Sequence, residues 1–218
     1  PLNTFTGTAD PVSYQASDST SAVANSTITI TVAPPAMPVL SPDTSTGNYN
    51  STQSQVVMAN DTNFQAALVT SSIRICAAGD TAPSCSATTL VVAGQGTYTV
   101  NTTSGQISFS PLASFTGTAS AITYSVTDLT GQKASTTYTP FVASPPPPTA
   151  TNDQTSAPQN QPQSINLLTN DTAGSGTQLS ASSVAICLVG ANPCTGTTLT
   201  IAGVGSYVVS NGVITFTP

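Results

Sequence analysis

The sequence predicts an all-β fold assembled from tandem antiparallel β-sandwich repeats, and three observations carry that prediction. Apolar and polar residues alternate with a period of two in short runs, glycine-based turn signals separate those runs, and an ordered string of residues recurs about 110 positions later. No convincing amphipathic helix competes with that pattern.

The clearest alternation is Thr27-Ile28-Thr29-Ile30-Thr31-Val32, which predicts one strand with Ile28, Ile30 and Val32 toward a core and the threonines toward water. Comparable β-branched or aromatic runs cover Ser54–Ala59, Ser72–Cys76, Thr89–Ala93, Thr97–Asn101, Gln106–Ser110, Ala121–Asp128 and Ala134–Val142. Turn signals fall at Gly79-Asp80, Gly94-Gln95-Gly96, Ser104-Gly105, Thr130-Gly131 and Asn211-Gly212. Some seven short strands per repeat match the immunoglobulin-like class of sandwich, so the expected architecture is tandem immunoglobulin-like antiparallel β-sandwich repeats.

The recurrence sets the organisation. Phe5-Thr6-Gly7-Thr8 returns as Phe115-Thr116-Gly117-Thr118, Tyr14 as Tyr124, Asp18 as Asp128, and Asn60-Asp61-Thr62 as Asn170-Asp171-Thr172, all at an offset of 110. Later landmarks drift slightly, Cys76 to Cys187 and Ile107 to Ile214 among them, as small loop insertions and deletions require. A period this long makes each repeat a whole domain rather than a solenoid rung of ~20–50 residues. Because Pro1-Leu2 aligns with Pro111-Leu112, and Pro218 with Pro111 as well, residues 1–34 read as the C-terminal half of a repeat. Residues 35–146 are then a complete repeat and 147–218 the N-terminal part of the next. The boundaries fall at Pro34-Pro35-Ala36-Met37-Pro38 and Pro145 to Pro148, where fixed φ angles and missing N–H donors favour a stiff connector.

Composition narrows the chemistry. Of 218 residues only 5% are charged: Arg74, Lys133 and eight aspartates, with no histidine and a formal net charge of −6. General acid/base catalysis usually employs histidine, whose pKa lies near neutrality, and a Ser-His-Asp system is impossible without it. A Ser-Lys dyad would rest on Lys133 alone, so the expectation is no enzyme, no catalytic residue and no cofactor. Two cations cannot neutralise a phosphate backbone, which excludes nucleic acid as a partner. No apolar run approaches the ~18–20 residues of a membrane-spanning helix, so no membrane insertion is expected. A chain with no initiating Met, leader or anchor is expected to be internal to a longer secreted precursor.

Four cysteines occur as two local pairs at the same place in successive repeats, Cys76 with Cys85 and Cys187 with Cys194. Of the three possible connectivities, only the local one gives each repeat the same bridge, and an extracellular setting keeps it oxidised. Zinc fits poorly, because structural sites need four ligands at closer cysteine spacing and usually histidine. No acidic cluster suggests calcium, so no metal site is expected. Asp18 and Asp128 near strand ends, and Asp61 and Asp171 in Asn-Asp-Thr strings, read as turn residues that bond nearby backbone N–H groups. An isopeptide cross-link through Lys133 is disfavoured because the equivalent position in the first repeat is Val23. Glycosylation sequons at Asn25, Asn50, Asn60, Asn101 and Asn170 are no more than such Ser/Thr richness yields by chance.

The ordered set of Asn-Asp-Thr, a cysteine pair, Gly94-Gln95-Gly96-Thr97-Tyr98-Thr99-Val100, Gly105 to Pro111, Phe115 to Thr118 and Thr123 to Asp128 resembles the CshA-type fibril repeat of bacterial cell-surface proteins. That resemblance implies a β-sandwich module strung in many copies between an adhesive tip and an anchor, with no catalytic residues. The two repeats depart from one another in spacing, Cys-x₈-Cys in one and Cys-x₆-Cys in the next. The expected function is a structural stalk or spacer of a secreted bacterial surface fibril or adhesin, extracellular, whose partners are neighbouring repeats of the same chain. The alternative is a self-assembling extracellular filament or sheath subunit, with Pro1 to Phe5 of one copy completing the sandwich that Phe216-Thr217-Pro218 of another leaves open.

Overall fold

In the computed structural model, residues 5–62 and 66–218 are described. The first segment contains β1 (Gly7–Thr8), β2 (Val12–Ser17), β3 (Val23–Ile28) and β4 (Thr31–Val32), with β2 and β3 forming a hairpin and β1 pairing β4. The central segment contains β5 (Asp43–Gly47), β6 (Gln53–Val56), β7 (Leu68–Ile75), β8 (Thr89–Val92), β9 (Gly96–Asn101), β10 (Gln106–Pro111), β11 (Gly117–Thr118), β12 (Ile122–Asp128) and β13 (Lys133–Val142). The last segment contains β14 (Gln163–Asn166), β15 (Thr198–Ile201), β16 (Gly205–Ser210) and β17 (Val213–Thr217), with one 3-10 turn at Ala181–Ser183.

The central strands divide into two sheets. One runs β6-β10-β9-β8; the other runs β11-β13-β12-β7, and β5 joins it by pairing with β13. Alternation along β9, β10 and β12 sends Tyr98, Val100, Ile107, Phe109, Ile122, Tyr124 and Val126 inward, where they meet Ile73, Ile75, Tyr138 and Val142. The rings of Tyr98 and Phe109 lie 4.7 Å apart, and Tyr138 meets Tyr98 edge-on at 6.0 Å. Each buried tyrosine hydroxyl has a partner: Tyr98 donates to Ser120 O (2.6 Å), Tyr124 to Asp43 Oδ2 (2.7 Å) and Val57 O (2.8 Å), and Tyr138 shares a bond with Ser45 Oγ (2.7 Å). Burying these rings removes a large apolar area from water, and the hydroxyl bonds avoid the penalty of an unpaired buried polar atom.

The repeat is visible in register as well as in sequence. Val12 pairs with Ile28 as Ile122 pairs with Tyr138, and the β14-β17-β16-β15 sheet reproduces β6-β10-β9-β8. Tyr207 and Phe216 stack at 4.7 Å, as Tyr98 and Phe109 do. Gly96 and Gly205 open the strands beneath these rings at φ +159° and +149°, and a Cβ there would meet Ser110 O or Thr217 O at 2.4 Å and the ring of Phe109 or Phe216 within 3 Å. Only glycine fits, which explains the recurring Gly-x-Gly turn.

Three expectations are corrected. The run Thr27 to Val32 is not one strand: β3 ends at Ile28, β4 begins at Thr31, and Ile28 and Ile30 are 50% and 55% exposed. Its counterpart β13 is continuous, with β5 paired along residues 138–142 and a second sheet packed over it; among the described residues β3 and β4 have neither. The sandwich is not wholly antiparallel, since β5 runs parallel to β13. The expected strand Ser54–Ala59 stops at Val56, and Val57 enters a turn with its carbonyl bound by Tyr124. The alignment of Pro1-Leu2 lies outside the described residues.

Gly96→Ala is expected to destabilise the central sandwich by roughly 2–4 kcal/mol through overpacking and backbone strain. Urea denaturation followed by tyrosine fluorescence checks this, with Gly79→Ala as a control, because a Cβ there meets no atom within 4 Å and only its positive φ is offended.

Candidate functional site

The cysteine loops sit where the chain crosses between sheets. β7 ends at Ile75, which bridges to Ala87, and β8 then enters the opposite sheet. Cys76 is bonded to Cys85 with Cα atoms 4.1 Å apart, and its N–H donates to Thr123 O of β12 (2.9 Å). Cys187 is bonded to Cys194 at the equivalent place one period later, where Ile186 bridges to Gly196. Each loop holds a cis X-Pro peptide, Ala82-Pro83 and Asn192-Pro193. Inside the first loop Asp80 accepts the N–H groups of Ala77 (2.9 Å) and Ser86 (2.8 Å), which hold its carboxyl below the usual carboxylate range.

A second recurring feature ties the segment after each proline cluster to the body of the repeat. Asp61 Oδ1 accepts the Ser41 N–H (2.8 Å), Asn60 Nδ2 donates to Pro42 O (3.3 Å), and Val39 bridges to Thr62. One period later Asp171 Oδ1 accepts the Thr151 N–H (2.8 Å), Asn170 Nδ2 donates to Asn152 O (3.2 Å), and Thr149 bridges to Thr172. The Asn-Asp-Thr string is therefore a clasp reaching 20 residues back along the chain, not a local turn lock. Asp18 and Asp128 do act locally: each Oδ1 accepts the N–H and hydroxyl of the residue two positions on, Thr20 or Thr130, and the N–H of Ala22 or Gln132.

A polar layer links the two termini of the central sandwich. Ser45 Oγ donates to Gln53 Oε1 (2.5 Å) and meets the Tyr138 hydroxyl, while Gln53 Nε2 donates to Phe141 O (3.1 Å). Asp43 is buried beside it. The sequence reading passed over β5 because Asp-Thr-Ser-Thr-Gly has no apolar alternation; the recurrence of Asp43, Ser45 and Gln53 as Asp153, Thr155 and Gln163 is the signal that marks it. Burial pushes the Asp43 carboxyl up despite its bond from Tyr124, and burial together with the nearby Asp43 charge pushes Asp61 up. Among the described residues Asp61 Oδ2 has no hydrogen-bond partner. Burial also raises Asp128, but the bonds from Thr130 and Gln132 outweigh it and leave its carboxyl below the ordinary value.

The remaining candidates fall on the surface. Lys133 and the five sequon asparagines are exposed, and the amides of Asn60 and Asn170 serve the clasps. Arg74 folds back onto the carbonyls of Ser71 (2.9 Å) and Ile73 (2.7 Å). Among the described residues no three of His, Cys, Asp or Glu gather in a way that would hold a metal ion.

Two measurements test these features. Replacing Cys76 and Cys85 together by Ser is expected to lower stability by roughly 2.5–3 kcal/mol, the chain-entropy value for so short a loop, read as a shift in urea midpoint. The second is a pH series. The folded pKa of Asp43 lies above its unfolded value near 3.8, so its contribution is complete below 3.8 and lost as pH rises through the folded value. Asp43→Asn should therefore gain on the wild type as pH rises from 3 to 7. Asp128 has the opposite sign: its contribution is present above 3.8 and lost as pH falls through a lower folded value, so Asp128→Asn should fall behind near neutrality and draw level in acid.

No curated protein matches the chain. The sequence model of the surface adhesin CshA repetitive domain matches residues 35–142, which span the N-terminal clasp, both sheets of the central sandwich and its disulfide loop. That central unit, residues 35–142, belongs to the surface adhesin CshA repetitive domain family.

Proposed function

We propose that this chain is a stalk segment of an extracellular, cell-surface adhesin, in which repeats joined end to end hold a binding tip away from the cell. The observation that carries this reading is the recurrence of the clasp: Ser41 with Asp61, then Thr151 with Asp171, each following a proline cluster. A unit that begins the same way one period later is a module in a series. On this reading the units are residues 1–34, 35–146 and 147–218, and each is partnered by the repeats before and after it.

The strand partition supports an immunoglobulin-like assignment for the module. β7, β12 and β13 lie in one sheet and β6, β9 and β10 in the other, as strands C, F, G and B, D, E do in an immunoglobulin sandwich. A disulfide that closes a short exposed loop suits an oxidising compartment. The few titratable groups leave stability weakly coupled to surrounding pH and salt, which suits a surface stalk. The side chains present serve packing, turns and clasps, and this supports a structural role rather than catalysis.

Small-angle scattering on concatemers of one to three repeats tests the proposal. The maximum dimension should grow by roughly 35–50 Å per repeat, with monomers throughout, given ordinary strand lengths plus loops. A collapsed particle would refute the stalk, and long ordered fibres by electron microscopy would favour the filament subunit instead.

A further inference from the structure

The direction of the first and last strands of the central sandwich has a mechanical consequence. β5 and β13 are parallel neighbours, with Tyr138 beside Asp43, Thr139 beside Thr44, Pro140 beside Ser45, Phe141 beside Thr46 and Val142 beside Gly47. The chain arrives at the start of β5 and departs from the end of β13, so the two attachment points lie at opposite ends of one strand pair. Tension along the chain then slides β5 against β13 along their common axis. All the inter-strand bonds are loaded together, whereas an antiparallel hairpin pulled at its open end loses them one at a time.

Other contacts converge on the same pair. The Ala143 N–H donates to Gly47 O (2.9 Å), extending the ladder past β13. The hydroxyl of Ser45 on β5 meets that of Tyr138 on β13 (2.7 Å), and Gln53 joins Ser45 to Phe141 O. Upstream, the bond from Ser41 to Asp61 and the Val39–Thr62 bridge carry load before it reaches β5. Water is kept from the inner side of the pair by Tyr138 and Val142, both fully buried. We infer that this repeat is a load-bearing module whose mechanical lock is the parallel β5–β13 pair, opened in shear by tension between its ends. The inference rests on the stalk reading for its biological use, but not for its physics.

The bond between Ala143 and Gly47 also sets the phase of the ladder. Backbone groups on one side of a strand recur every second residue, so the N–H of Ser45 faces β13, as the backbone of Gly47 does, and that of Thr44 faces the open edge. Proline at Ser45 removes a ladder donor; proline at Thr44 removes none.

Single-molecule pulling of the whole chain from its two ends tests the lock. The wild type is expected to show one rupture at a force well above that of the flanking sheets, releasing roughly 300 Å of chain at ~3.3–3.6 Å per residue for residues 43–142, less the span held by Cys76–Cys85. Reductant should lengthen that release by roughly 30 Å. Ser45→Pro should lower the rupture force by roughly half, since forced unfolding follows the unfolding barrier. Ala143→Pro should lower it less, Ser45→Ala should lower it by less than Ser45→Pro because the ladder donor is kept, and Thr44→Pro should leave it within about a fifth of wild type. If Ser45→Pro does not fold, Ala143→Pro against Thr44→Pro decides the matter. A wild-type rupture no stronger than that of the flanking sheets would overturn the lock, as would equal forces for the proline variants with folding intact. Either result would leave the scattering test of the stalk untouched.

Discussion

A β-sheet of this composition has one apolar face, and the structure depends on a second sheet being there to cover it. In the central segment both sheets are present, and Tyr98, Tyr124, Tyr138, Phe109, Ile73 and Ile107 disappear from solvent between them. In residues 5–32 only the β2–β3 hairpin with its short β1–β4 pair is present, and Val12 and Tyr14, the counterparts of Ile122 and Tyr124, stand 62% and 54% exposed. In residues 149–217 the other sheet stands alone, and Ile186, Leu199, Ile201, Tyr207 and Ile214 line an open groove. The same residue types are core or surface according to whether the opposite sheet is packed on them.

The buried polar groups follow from the same closure. Tyr124 extends from one sheet to Asp43 and the Val57 carbonyl, and Gln53 reaches from the other sheet to Phe141 O. These bonds satisfy atoms that closure removes from water, and they join the first strand of the repeat to its last. In the third segment, where the counterpart of β5 is not a strand, the Oε1 of Gln163, whose counterpart on Gln53 accepts from Ser45, is buried without a partner among the described residues. A polar layer of this kind gains its value only when the sandwich is complete. It thereby couples the fixing of β5 to the docking of β13, and those are the strands through which the chain enters and leaves.

Much of this was legible before any coordinates. The period-2 runs locate β8, β9, β10, β12 and most of β13, because each combines β-branched or aromatic residues with a turn signal at its end. The cysteine pairing followed from the demand that each repeat carry the same bridge. The local role of Asp18 and Asp128 was also readable, since an aspartate at a hairpin turn finds N–H groups within four residues. Asp61 and Asp171 were not, because their partners lie 20 residues away and nothing in Asn-Asp-Thr announces the distance.

The sharpest division lies between two copies of one segment. Asp43–Gly47 is a strand, while its counterpart, residues 153–157, is not; β7 is a strand of eight residues, while its counterpart holds the Ala181–Ser183 turn. In the central segment β13 and β12 stand alongside to pair with them, and in the last segment nothing does. The amino-acid sequence by itself determined the repeat, the hairpins, the turns that demand glycine and the faces that are apolar, because these depend on residues close together in the chain. Which apolar faces are buried, that β5 exists at all and that it runs parallel to β13 were decided by the tertiary structure, since a strand without its own pattern forms only where a distant partner supplies its hydrogen bonds.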